Sequence, residues 1–208
     1  MKTGQEKIFY LTADTLAAAK SSPHLEVFRK KGIEVLLLPD RVDEWLMSHL
    51  TEFDGKGFAS VAKGDLDISK LGEAEPQEKS ETPDEDELKD LTERMHKALG
   101  ERVREVRVSH RLTDSPSCLV VDEHDMAMHL QRLLREAGHE LPSMKPVLEV
   151  NTDHVLVRHL QQETDEQRFG DWTQVLYEQA MLSEGGQLED AAGYVRRVNA
   201  LLQAGVAA

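Results

Sequence analysis

The chain has 208 residues, 39% hydrophobic and 31% charged, with a formal net charge of -14. That length allows one large domain or two small ones. The acidic balance argues against nonspecific nucleic-acid binding, which depends on Lys and Arg neutralising phosphates, and against adhesion to an anionic membrane. The single cysteine, Cys118, can form no internal disulfide. No apolar run approaches the roughly 20 residues of a membrane span, and MKTGQEKIFYL lacks the apolar core of a signal peptide. These features predict a soluble, cytoplasmic protein.

Lys7–Thr12, KIFYLT, has the β-branched and aromatic content of a strand. Asp14 is placed to cap a short Ala-rich helix through Lys20, and Ser22-Pro23 to start another, with Leu25 and Phe28 facing the sheet. Lys30 and Lys31 suit a helix C-terminus and Gly32 its stop. Ile33, Val35, Leu36, Leu37 and Leu38 then form a nearly continuous apolar run. Such a run predicts a central strand covered on both faces of a parallel sheet, with a right-handed crossover. Asp40 is placed to cap a helix from about Arg41 to Leu50, with Val42, Leu46 and Leu50 at i, i+4 and i+8 as its inward stripe. Trp45 lies beside that stripe. It reads either as a half-buried cover for the helix–sheet seam or as an exposed anchor for a polypeptide. Asp54-Gly55-Lys56-Gly57 breaks the pattern before the short apolar piece Phe58–Val61.

The pieces YLTAD, SSPHLE, KKGIEVLLL, DEWLM and LTEFDGK occur in this order within residues 7–56. Together they closely resemble the end of the middle domain in the ninety-kilodalton heat-shock chaperones, bacterial branch (HtpG-like). Met1-Lys2 also matches an internal position of that family, so the resemblance implies a C-terminal fragment. Gly64–Pro83 is dominated by Gly, Pro, Ser, Glu and Lys and predicts a flexible acidic linker.

Beyond the linker, Thr82-Pro83-Asp84-Glu85 reads as a capping box opening a helix, with Leu88, Leu91, Met95 and Leu99 as its seam and Gly100 as its end. Val103, Val106 and Val108 suggest a strand, Asp114-Ser115-Pro116 a turn, and Ser117–Val121 a second strand antiparallel to the first. Residues 110–114, HRLTD, and 151–160, NTDHVLVRHL, again resemble the chaperone's C-terminal domain. Asp122 is placed to cap a helix over Glu123–Ala137, stopped by Gly138 and striped by Met126, Leu130, Leu133, Leu134 and Ala137. That stripe reads either as core or as a permissive apolar binding surface. Val147–Val150 suggests a third strand, Asn151 a cap for a helix carrying Val155, Leu156 and Leu160, and Thr164 with Gln167 a further capping box. The helix that follows carries Phe169, Trp172, Val175, Leu176, Met181 and Leu182 as far as Ser183, and Gly185-Gly186 ends it. Asp190 opens the last helix, whose stripe is Tyr194, Val195, Val198, Leu201 and Leu202. Two terminal amphipathic helices make half a bundle. They either fold back on their own domain or pair with a second copy, and a symmetric four-helix bundle serves both subunits with one patch.

No phosphate loop, HExxH or CxxC occurs, and His124 and His129 are five apart, off one helix face. Cys118 near His110 is a weak candidate for a thiol–imidazole pair and reads better as a small apolar strand residue. No enzyme activity, cofactor or metal is expected of this stretch.

The expected organisation is therefore a small three-layer α/β domain over residues 1–63, a linker over 64–83, and an α+β dimerisation domain over 84–208 that ends in the helix pair. The resemblance implies a chaperone role in stress response and protein folding, with binding of unfolded clients. It carries client contact to Glu44, Trp45, Met126, Leu130, Leu133 and Leu134, although Leu134 and Ser48 depart from a bulkier aromatic and an Asn familiar in the family. It also implies homodimerisation through Phe169, Trp172, Leu176, Tyr194, Val195, Val198, Leu201 and Leu202, and cochaperones as further partners. ATP and magnesium would belong to the full-length parent, whose nucleotide pocket lies upstream. The chain ends LLQAGVAA without the acidic EEVD tail of eukaryotic relatives, so cochaperones that read that tail are not expected. The alternative reading is a dimeric adaptor without chaperone activity, and an α/β hydrolase lacks a nucleophile–base pair.

Overall fold

The computed structural model describes residues 1, 5–64, 85–123, 125–136, 138–139 and 144–207. In chain order the elements begin with β1 (Lys7–Thr12), α1 (Leu16–Ser21), a 3-10 turn (Pro23–Leu25), α2 (Glu26–Lys30), β2 (Val35–Leu38), α3 (Arg41–His49), β3 (Glu52–Phe53) and β4 (Lys56–Ser60). They continue with α4 (Glu85–Leu99), a second 3-10 turn (Gly100–Arg102), β5 (Glu105–Val108), β6 (Ser117–Val120), α5 (Met128–Glu136), β7 (Val147–Val150), α6 (Val155–Gln162), α7 (Glu166–Ser183) and α8 (Ala191–Ala207). The result is a mixed α/β chain with two sheets. Its described residues fall into two compact units. One is drawn from Met1–Thr82, His110–Leu112 and Val120–Met144, the other from Pro83–Ser109, Thr113–Leu119 and Lys145–Ala208. The residues expected as one segment over 84–208 thus contribute to both units.

In the first unit the sheet runs β2-β1-β4-β3, with β1 parallel to both β2 and β4 and β3 antiparallel to β4. On strand β1, Phe9 and Leu11 are buried between half-buried neighbours and point into a core with Ala19, Leu25, Val27, Phe28 and Ile33. Phe28 meets Phe9 edge to face at 5.0 Å between ring centroids. Burying a side chain of this size contributes about 1.5–3 kcal/mol. Gly32, at φ 58, ends α2, and the Ile33 N–H returns to the Phe28 carbonyl at 2.7 Å. At the β3–β4 hairpin, Asp54 and Gly55 both take positive φ, 51 and 71, as a tight two-residue turn of this hand requires.

Several expectations for this unit are corrected. The apolar run of β2 is not a central strand covered on both faces. It lies at the sheet edge, with Leu36 exposed opposite Tyr10. Val35 and Leu37 pack on the core while Leu36 turns the other way, because adjacent residues of a strand point to opposite faces. The stripe Val42, Leu46 and Leu50 on α3 is not inward: all three are exposed, and Glu44 is the residue buried instead. The cap of α1 is Thr15, whose hydroxyl accepts from the Ala18 N–H at 3.1 Å, since Asp14 pairs with Arg132. Asp40 caps α3 as expected, in a reciprocal box with Asp43. Helix α5 starts at Met128 rather than Glu123. The Asp125 carbonyl, which an earlier start would spend on the ladder, instead accepts from Lys63 Nζ at 2.7 Å. Gly138 stops this helix as expected, with φ 86 and a His139 N–H bond to the Leu134 carbonyl at 2.9 Å.

The second unit is built on a three-stranded sheet in the order β5-β7-β6, with β5 parallel to β7. The expected β5–β6 pairing is therefore replaced, because β7, buried at every residue, inserts between them. On α4, Leu91, Met95 and Leu99 of the expected seam are buried, and Leu88 is half-buried. Gln174 Nε2 donates to the Ala98 carbonyl at 3.1 Å, tying α7 to α4, and Ser117 Oγ donates to the Leu176 carbonyl at 3.0 Å, tying β6 to α7. The Arg94 guanidinium stacks over the Phe169 ring, 3.9 Å from its centroid. Two caps shift by a few residues. Helix α6 is capped by His154 rather than Asn151, and α7 by Asp165 rather than Thr164. On α6 the buried pair is Val157 and Leu160, while Val155 is exposed. The expected capping box at residues 82–85 and most of the linker lie outside the described residues.

Candidate functional site

Three apolar surfaces remain uncovered within the described chain, and they hold most of the residues singled out from the sequence. The first is the outer face of α3. Trp45 is 68% exposed and Val42 63%, with Leu46, Leu50 and the hairpin residue Phe53 exposed beside them. The Trp45 indole rests against His49, 4.9 Å between ring centroids, and Ser48 Oγ donates to the Trp45 carbonyl at 2.7 Å. Of the two readings of Trp45, the exposed one matches its position. Nothing in its sequence signal could decide this, because an amphipathic stripe does not say which side of a helix meets the sheet.

Glu44 has the opposite environment. It is only 7% exposed, and its Oε1 has no hydrogen-bond partner among the described residues. Its charge acts on two neighbours. Burial pushes the Tyr10 hydroxyl upward, and Glu44 adds to that rise against a lowering hydrogen bond from Ser60. Burial also pulls the Lys63 ammonium below its ordinary value, while Glu44 and Asp125 oppose the fall. Glu44 thus lies on the buried side of α3, away from the exposed stripe. Its likeness-based role in direct contact requires a carboxylate that this arrangement turns inward.

The second surface is α5, in the same unit. Met126, Leu130, Leu133 and Leu134 are all half-buried, whereas Ala127 and Gln131 take the buried positions. Gln131 Nε2 is satisfied by the Met126 carbonyl at 2.7 Å. A helix that buries a glutamine and leaves its leucines half-open is oriented against the usual pattern.

The third surface lies on α7 and α8 in the other unit. Phe169, Leu176 and Leu201 are buried within their own chain. Trp172, Tyr194 and Val198 are half-buried, and Val195 and Leu202 are exposed. Glu178 of α7 pairs with Arg197 of α8, and the Asp190 side chain accepts from the Gly193 N–H at 2.8 Å where α8 begins.

For chemistry, Cys118 is fully buried, and its Sγ lies 4.0 Å from the Glu149 carboxylate. Among the described residues no three His, Cys, Asp or Glu side chains gather as a metal site would require. No helix among them is long and apolar enough to cross a membrane. What these surfaces offer is contact area for other apolar groups.

Comparison with known proteins bears on the same residues. The family model described as Hsp90 protein matches residues 1–208. Chaperone protein HtpG of Halorhodospira halophila is 61% identical over 202 residues, covering 97% of this chain and 32% of the relative. Proteins of the same name from Nitrosococcus oceani and Dechloromonas aromatica are 57% and 58% identical over 205 residues, covering 98% of this chain and 32% of each relative. The chain spans about a third of the length of these curated relatives. With a family model matched from its first residue to its last and close relatives named as chaperones, this chain belongs to the Hsp90 protein family.

Proposed function

We propose that this chain is a self-associating, polypeptide-binding part of a chaperone, corresponding to the end of the middle domain and the C-terminal dimerisation domain. The observation that carries the reading is the solvent-facing aromatic–aliphatic face of α3, centred on Trp45. Apolar area left in water gains roughly 25 cal/mol per Å² when another apolar chain covers it, while the acidic surface keeps the protein itself soluble. Trp45 is the anchor, and Met126, Leu130, Leu133 and Leu134 form a second contact line. Half-open leucines and methionine suit varied partners because they repack at low cost. Glu44 acts from beneath, by holding α3 in place.

Homodimerisation is assigned to α7 and α8. Val195 and Leu202 would be covered directly, together with the open parts of Trp172, Tyr194 and Val198, over the buried support of Phe169, Leu176 and Leu201. In the longer protein this contact would join two ATP-driven arms, with ATP and magnesium bound outside this chain. Cochaperones are further partners of that longer protein. The chain alone turns over no ATP.

Two measurements test the reading. Sedimentation equilibrium should give a dimer for the chain and a monomer for Val195→Glu combined with Leu202→Glu. A labelled, reduced and alkylated polypeptide that cannot fold should bind the chain weakly, and Trp45→Ala should weaken it further. A monomeric chain at high micromolar concentration would overturn the dimer. Binding confined to one partner at fixed stoichiometry would favour the adaptor.

A further inference from the structure

Helix α8 turns its less apolar side inward. Gly193 and Leu201 are buried and Arg197 is half-buried, and the three lie at i, i+4 and i+8, on one side of the helix. That side offers one glycine, one cation and one leucine. Val195, Val198 and Leu202, the larger apolar set, lie about a third of a turn away around the axis. Val195 is 54% exposed and Leu202 61%. A surface helix ordinarily buries its apolar stripe, so apolar area alone does not hold α8 this way round. A direct ion pair joins the inner side of α8 to α7, with Arg197 Nη2 donating to Glu178 Oε1. Glu178 is only 6% exposed, so water does little to solvate its carboxylate and the guanidinium takes that place.

We infer that the Glu178–Arg197 pair selects which side of α8 is buried, and so keeps the stripe of Val195, Val198 and Leu202 open for a second copy of this chain. This rests on the self-association reading above and names the residues that make its contact face available. If α8 turned that stripe onto its own unit, Arg197 would swing toward the surface. Glu178 would then stay buried without a cation, an arrangement that is strongly unfavourable. Folding back is thereby penalised, whereas a second copy covers the stripe and leaves the pair intact. Glu178 and Arg197 are positioning residues: they act on the contact face through the rotation of α8.

The test compares the full chain with Glu178→Ala combined with Arg197→Ala, and with the exchanged pair Glu178→Arg combined with Arg197→Glu. Sedimentation equilibrium is the first readout. The alanine variant should dimerise at least about tenfold more weakly, and the exchanged pair should restore the dimer. An alanine variant that dimerises as the parent chain does, or an exchanged pair that stays monomeric, would overturn the inference. The second readout is thiol blocking of Leu201→Cys and Leu202→Cys, each placed singly in the parent chain and in the alanine variant. The native Cys118 is buried and contributes little background. In the parent chain the Leu201→Cys thiol should react slowly. In the alanine variant it should react at least about tenfold faster while the Leu202→Cys thiol becomes slow, as a turned helix requires. Fast reaction of both thiols would mean that α8 detaches, and slow reaction of the Leu201→Cys thiol would mean that it does not turn; either result refutes the selection. If the parent chain is a monomer, the dimer reading fails by itself, and the thiol pattern still decides whether the pair sets the buried side of α8.

Discussion

Arg107 and Glu149 face each other across neighbouring parallel strands, and the guanidinium donates to Glu149 Oε1 from Nε at 3.1 Å and Nη2 at 2.8 Å. Ser109 Oγ donates to the other carboxylate oxygen at 2.9 Å. The Glu149 side chain is almost completely buried, whereas Arg107 reaches the surface. Removing the arginine leaves a buried carboxylate short of its cation. We expect Arg107→Leu to destabilise the second unit by about 2–3 kcal/mol, and Arg107→Leu with Glu149→Leu to recover part of that loss. Urea unfolding of the two variants measures both, and an unchanged midpoint for the single variant would contradict the assignment.

Trp45 and Trp172 differ in exposure, so their fluorescence should separate. Acrylamide should quench mainly the Trp45 emission, and Trp45→Ala should remove the accessible fraction. Because Trp45 is exposed, the substitution should change stability by no more than about 0.5 kcal/mol. Its effect on binding of an unfolded polypeptide should exceed about fivefold, as for an aromatic anchor.

Phe28 tests where the first core lies. It is fully buried and packed edge to face on Phe9. Phe28→Ala should cost about 3–5 kcal/mol, read from denaturant unfolding, while Leu36→Ala on the exposed side of β2 should cost far less. Equal losses would mean that the β2 run is covered on both faces after all.

The start of α7 predicts an acid-sensitive step. Asp165 Oδ1 accepts from the Gln167 and Arg168 N–H groups at 2.9 and 3.0 Å, and these bonds hold its carboxyl below the ordinary range. Glu163 Oε1 accepts from the Asp165 N–H and from Arg168 Nη2, both at 2.9 Å, and its carboxyl is lowered first by the former. Depressed carboxyls lend stability that is complete above their unfolded pKa of about 4 and is lost as pH falls through their lower folded values. Melting midpoints should therefore fall as pH drops below about 4. The combined Asp165→Asn and Glu163→Gln variant should show a shallower fall over that window.

Much of this was legible from residue order. The strand KIFYLT, the stop at Gly32, the seam Leu91–Met95–Leu99 and the break at Gly185-Gly186 all follow from local rules of propensity, capping and periodicity, which depend on near neighbours alone. Family membership was legible too, because many specific short pieces recur in order. Orientation was not. Val42, Leu46 and Leu50 share a helix face whatever that face meets, and only packing turned Glu44 inward and the apolar stripe to water. Likewise the short strand β7 inserted between β5 and β6, a choice among non-local pairings that no single segment encodes. Local sequence thus determined which elements form and where they stop. Tertiary structure decided which faces stay open, because burial is settled by competition among distant segments for the same core.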